Sequence, residues 1–135
     1  MTSGPGRRRF LTHLLSLGAL GASPRGARAA SGAAPDDPVA STLSRLLGHP
    51  ESAVVVGRAY LRLAPDARDP ARLVDLLSAS CDGLALDADL DTLRPRLGWR
   101  IRQDFAEGRV VDVDGWRLSL TEARLCGLAA LLLPR

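Results

Sequence analysis

Three aspartates spaced two residues apart could begin a calcium-binding loop: Asp87, Asp89 and Asp91. Such a loop needs glycine at its sixth position, for a sharp turn, and glutamate at its twelfth, as a bidentate ligand. Counting from Asp87, those positions hold Thr92 and Gly98. The pattern is therefore incomplete, and we interpret the three aspartates as solvated loop residues.

A second acidic cluster can be aligned with the same loop. Asp112, Asp114 and Gly115 would take its third, fifth and sixth positions. Its first and twelfth positions would then be Val110 and Thr121, neither of which supplies a carboxylate. We predict no metal site, and an enzyme that uses these aspartates ranks last among the functions considered.

The histidine and cysteine residues give little support for catalysis. His49 lies beside Pro50, with no cysteine or acidic pattern nearby, and we expect it at the surface. The sequence contains no glycine-rich phosphate loop and suggests no pair of nucleophile and base. Cys81 and Cys126, both at apolar helical positions, could form a disulfide in an exported protein or remain as two buried thiols.

The first 29 residues resemble a twin-arginine export signal. Arg7 and Arg8 precede one further residue, then Phe10 and Leu11, which is the order of that motif. The apolar run over residues 10–22 is too short to span a membrane but suits a signal peptide. We therefore expect the twin-arginine translocase to recognise the precursor, with an ordinary signal peptide as the alternative.

Small side chains at Ala27 and Ala29 predict cleavage after residue 29, followed by a linker over residues 30–36. The leader holds 5 of the 18 arginines and no acid, so the remaining chain has 13 basic and 15 acidic side chains, a net charge of −2. The basic character therefore belongs to the leader, and a role in nucleic-acid binding loses its electrostatic support.

Residues 37–135 predict a mainly helical domain of about five helices, with one short hairpin before the last helix. Asp-Pro pairs at Asp37 and Asp69 are typical helix starts, with the aspartate as cap and the proline in the first turn. We expect a second helix over 51–64, and a fourth that begins at Pro95, because proline is disfavoured inside a helix. The side chains expected to face inward from the second helix are Val55, Ala59, Tyr60 and Leu63.

Alternating apolar residues around Asp114-Gly115 predict the hairpin, because this dipeptide favours a two-residue turn. Ser119 and Glu122 have the spacing of a capping box and begin the last helix. That helix is apolar on nearly all sides, so it is either the central helix or a helix that awaits a partner. In the second case the bulkier side would bind the partner through Leu125, Leu128 and Leu132.

Short patterns over residues 39–132 resemble the small subunit of bacterial membrane-bound FAD-dependent sugar and polyol dehydrogenases, such as the sorbitol and glucose enzymes. The matching stretches are LSRLLG at 43–48, Tyr60-Leu61, Leu73 with Leu77, FAEG at 105–108, Val110-Val111 and EARL at 122–125. Small subunits of this family also begin with a twin-arginine leader. The chain departs from them in lacking a second aromatic residue beside Phe105 and in stopping directly after the last helix.

The resemblance implies a non-catalytic subunit that carries no cofactor of its own. In that family a large partner subunit holds the FAD, and electrons leave through a multihaem cytochrome c. The small subunit binds the large one, helps it mature and supplies the export signal for both. We therefore expect a periplasmic accessory protein, peripheral to the inner membrane through its complex. The rival hypothesis is a free-standing periplasmic binding or structural protein.

Overall fold

The computed structural model describes residues 37–133, and the export residues Arg7, Arg8, Phe10, Leu11, Ala27 and Ala29 lie outside this range. The fold is mainly helical with one antiparallel hairpin, which confirms the predicted class. In chain order the elements are α1 (Pro38–Leu46), α2 (Pro50–Leu63), a 3-10 turn (Pro65–Ala67), α3 (Pro70–Ser80), α4 (Leu90–Ala106), β1 (Val110–Val113), β2 (Trp116–Ser119) and α5 (Leu120–Leu132).

Aspartate side chains cap three of the helices. The Oδ1 atom of Asp37 accepts a hydrogen bond from the amide of Val39 at 2.9 Å, and Asp69 accepts one from Ala71 at 3.1 Å. Asp89 likewise accepts from the amide of Thr92 at 2.9 Å, at the start of α4. Each bond satisfies an amide that has no partner within the first helical turn. The two Asp-Pro helix starts are therefore confirmed.

The predicted start of α4 at Pro95 is wrong, because the helix begins at Leu90 and contains Pro95. Proline removes one helical hydrogen bond and its ring crowds the carbonyl group four residues earlier, but as the sixth helical residue Pro95 lies just beyond the first turn. The cap from Asp89 stabilises the turn before it. Of the three predicted loop aspartates, Asp89 is therefore a helix cap and Asp91 lies in the first turn of α4. The capped first turn outweighs the local cost of the proline.

The hairpin forms around the predicted turn, with the register that a two-residue turn at Asp114-Gly115 requires. Val113 pairs with Trp116, and Val111 with Leu118, while Asp112 pairs with Arg117 on the other face. The Nε atom of Arg117 lies 3.0 Å from Oδ1 of Asp112, and this guanidinium lowers the pKa of the Asp112 carboxyl. Both turn residues, Asp114 and Gly115, have positive φ angles, of 47° and 83°, as the two-residue turn requires.

Helix α5 is the central helix, which confirms the first of the two alternatives. It packs most extensively on α2 and also contacts α1, α3, α4 and the hairpin. Small residues allow the close approach to α2: a methyl group placed on Gly57 would lie 1.9 Å from the carbonyl oxygen of Cys126. A methyl group on Gly127 would lie 3.1 Å from the ring of Tyr60. No helix among the described residues is long and apolar enough to cross a membrane.

The inward face of α2 is only partly as predicted. Ala59 and Tyr60 are buried, but Val55 and Leu63 are 65% and 60% exposed. The difference follows from the contact with α5. Gly57 must face α5 because no larger side chain fits there, and in that orientation Val55 and Leu63 lie on the side of α2 away from α5.

Candidate functional site

The residues predicted to bind a partner are mostly core residues. Leu125 and Leu128 have no exposed surface, and only Leu132, at the end of α5, remains half-buried. Both sides of α5 are covered by helices of the same chain, so its leucines serve folding. The prediction that Leu125 and Leu128 form a docking surface is therefore wrong.

The two cysteines are free thiols, so the disulfide alternative is wrong for this structure. Cys81 caps the C-terminal end of α3, and Cys126 is completely buried in α5. Burial raises the pKa of both thiols, because the charged thiolate is disfavoured away from water. They act as small apolar side chains of the core.

A buried carboxylate links α4 to α5. Asp104 is 1% exposed, and its Oδ2 atom accepts hydrogen bonds from the amide of Thr121 at 2.9 Å and from its hydroxyl at 2.6 Å. Its Oδ1 atom lies 3.2 Å from Nη2 of Arg100 and 3.1 Å from Nε of Arg109. This degree of pairing satisfies a buried charge. The carboxylate of Asp104 therefore fixes the start of α5 against α4.

A second buried carboxyl group, that of Glu122, completes the capping box. Its Oε2 atom accepts from the amide of Ser119 at 2.8 Å, and the hydroxyl of Ser119 accepts from the amide of Glu122 at 3.0 Å. The other oxygen, Oε1, is buried without a hydrogen-bond partner. Burial raises the pKa of Glu122 to about 7, and the nearby charge of Asp104 adds to the increase. The capping box formed by Ser119 and Glu122 was predicted, but the burial of Glu122 was not.

The remaining predicted polar residues have surface or structural positions. His49 and the side chains of Asp87, Asp89 and Asp91 are exposed, and so are those of Asp112 and Asp114. Asp114 lies 3.4 Å from Nη2 of Arg62 in an exposed ion pair. Within residues 37–133, no three acidic, histidine or cysteine side chains are grouped in a way that could hold a metal ion.

Exposed apolar residues mark two surfaces that the sequence analysis did not identify. The first is the outer face of α4, where Trp99 is 50% exposed. The same face carries other exposed residues at helical spacing from Trp99, namely Pro95, Arg102 and Ala106. Arg96, one turn before Trp99, is also exposed, and neither it nor Arg102 forms an ion pair within the described part of the chain. We call this the Trp99 surface. Its signal in the sequence was an indole two residues from both Leu97 and Ile101, which places it on the opposite side of the helix from that buried stripe.

The second surface is a groove of about 330 Å³ between α1, the first turns of α2 and the end of α5. Val54 is nearly buried, and Val55 projects to solvent beside it. Glu51 and Arg58 are exposed on the same side of α2. We call this the α2 groove; its lining residues are Ser44, Pro50, Glu51, Val54, Val55, Arg58 and Leu133.

Comparison with known proteins adds no identification. No protein-family model matches this chain, and no curated protein or solved structure shows a significant match to it. Functional inference therefore depends on the sequence patterns and on these two surfaces.

Proposed function

We propose that this protein is an exported, non-catalytic small subunit that binds a large FAD-dependent sugar or alcohol dehydrogenase and carries it to the periplasm. The twin-arginine pattern at Arg7 and Arg8 supports export through the pathway that carries folded proteins. The resemblance to dehydrogenase small subunits supports the class of partner, including a multihaem cytochrome c as electron acceptor. In this proposal the FAD is bound by the large subunit.

The observation that carries the proposal is the Trp99 surface. A half-exposed indole costs free energy in water and belongs to the residue type most enriched among binding hot spots. Arg96 and Arg102 flank it without ion-pair partners in the described region. An aromatic anchor with a basic rim fits a partner that offers an apolar pocket bordered by carboxylates. This surface replaces the leucines of α5 as the proposed contact.

The buried carboxyl groups of the domain support a structural role. Asp104 holds Thr121 and two arginines, and Glu122 caps α5. Asp104 and Glu122 are each 1% exposed, so neither carboxyl group is open to solvent. In the proposal, therefore, the oxidation of the sugar or alcohol takes place on the partner subunit.

The test is co-purification of the partner with a tagged chain expressed in its source organism. We expect a flavoprotein with the FAD absorbance spectrum to co-purify in a fixed ratio. Trp99→Ala should abolish this without changing the melting temperature of the domain. Leu63→Ala is the matched control, because Leu63 is similarly exposed but lies on α2.

One result would contradict the proposal as a whole, and another would contradict only its contact surface. If no flavin-containing protein co-purifies, the chain is better described as a free-standing periplasmic protein. If the flavoprotein is retained by the Trp99→Ala variant but lost by the Leu63→Ala control, the subunit assignment stands and the contact surface is wrong.

A further inference from the structure

The α2 groove has an arrangement that is complementary to itself. Glu51 lies three residues before Val54, and Arg58 lies three residues after Val55, all on one side of α2. Seven residues of helix correspond to about two turns and roughly 10 Å along the axis. Opposite charges thus lie at equal distances on either side of a central pair of valines.

This arrangement matches a two-fold symmetric pair of antiparallel helices. If the axis passes between Val54 and Val55, Glu51 of each copy faces Arg58 of the other, and the valines meet at the centre. In such an interface the same patch contacts itself, so each residue pair occurs twice. Neither Glu51 nor Arg58 has an ion-pair partner within residues 37–133.

The shape of the surface is consistent with the same pairing. Val55 projects to solvent with 65% of its surface exposed, directly beside the groove floored by Val54 and bordered by Leu133. Two copies related by the axis would each insert Val55 into the groove of the other. Burial of these apolar groups supplies affinity, and the charged pairs at the rim fix the antiparallel orientation.

We propose that the α2 groove binds a second copy of this chain, forming a symmetric dimer with reciprocal Glu51–Arg58 pairs. The occupant is another copy because one patch supplies both charges and both apolar elements in the required positions. The contact is one helix face wide, so the dimer is weak and depends on concentration. It uses α2, whereas the proposed dehydrogenase contact uses α4, so each proposal can fail without the other.

The experiment is sedimentation equilibrium of the chain from residue 30 onward, which contains the whole described core, across a concentration series. The wild type should show a monomer–dimer equilibrium that weakens as salt is added. Glu51→Arg or Arg58→Glu alone should weaken the dimer at least about tenfold, since each turns two attractive pairs into two repulsive ones. The double variant exchanges the two charges and should restore the dimer.

Matched variants separate this contact from general charge effects. Arg72→Glu changes an exposed arginine on α3 and should leave the dimer unchanged, whereas Val55→Asp should abolish it. Melting temperatures confirm that each variant is folded. The proposal is overturned if the wild type stays monomeric up to roughly 1 mM, where even a weak complex is populated. It is also overturned if a dimer forms that responds to neither single charge reversal.

Discussion

Replacing Glu122 by glutamine should remove most of the pH dependence of stability between pH 4.5 and 7. Glutamine is accepted at this position of a capping box and can still accept from the amide of Ser119. It cannot ionise, and it therefore mimics the protonated glutamate. The wild-type side chain has a buried Oε1 atom without a partner, so its ionised form is costly inside the fold.

The sign and size follow from the pKa of Glu122, which rises from 4.5 in the unfolded chain to about 7 in the fold. Below pH 4.5 the group is protonated in both states, and its contribution to stability is fully present. As the pH rises, the unfolded chain ionises first, so stability is lost until the folded group ionises near pH 7. At 1.36 kcal/mol per pH unit, this interval corresponds to a loss of about 3 kcal/mol.

Urea unfolding at several pH values between 4 and 8, followed by circular dichroism at low protein concentration, measures this effect. The wild-type free energy of unfolding should fall across the interval, and that of Glu122→Gln should stay nearly flat. The free energies of unfolding of the wild type and the variant should be similar at pH 4, and the variant should be the more stable protein at pH 8. Glu51→Gln, on an exposed glutamate, is the control and should behave like the wild type. The reasoning would be refuted if the wild-type free energy of unfolding did not change with pH, or if that of Glu122→Gln fell just as steeply.

Three further predictions concern the core. Gly57→Ala should destabilise the fold by roughly 3 kcal/mol or more because the methyl group meets the carbonyl of Cys126. Gly98→Ala should be neutral or stabilising in thermal melts, because a methyl group there makes only an ordinary contact with Nη1 of Arg102, at 3.6 Å. Leu128→Ala should cost about 2–5 kcal/mol in urea unfolding, and unchanged stability would contradict its core position. Cys81 and Cys126 should both react with a thiol reagent in urea without prior reduction, and Cys126 should stay unreactive in the native state; a requirement for reductant would indicate a disulfide.

The parts of the fold that were predicted correctly depend on short-range interactions. The Asp114-Gly115 turn fixes the register of the hairpin, because two residues with positive φ determine which strand residues face each other. The same holds for the aspartate caps at Asp37 and Asp69 and for the box formed by Ser119 and Glu122. In each case the partners lie within a few residues of one another in the sequence.

The errors concern what lies across from an element in space. Periodicity placed Val55 and Leu63 inward, but the contact between Gly57 and Cys126 orients α2 differently. The leucines of α5 have the same pattern whether their partner is another protein or the same chain. Because the sequence does not state which helices cover Leu128, only the three-dimensional packing separates core from interface.

The candidate surfaces could not be predicted for a related reason. Trp99 lies on the opposite side of α4 from Leu97 and Ile101, but this spacing alone does not show whether another element covers that side. Arg100, its sequence neighbour, points to Asp104 and belongs to the buried network. Exposure is decided by the orientation of α4 on the core, which depends on contacts distant in sequence.

The central claim is that this chain carries a flavoprotein across the membrane. The most direct measurement compares the compartments of both proteins in a strain that lacks the chain and receives either the wild type or the variant Arg7→Lys with Arg8→Lys. The wild type should return the dehydrogenase and its FAD to the periplasm. The variant should leave both proteins in the cytoplasm, because the translocase recognises the arginine pair. A flavoprotein that reaches the periplasm equally well in the strain without this chain would contradict the account.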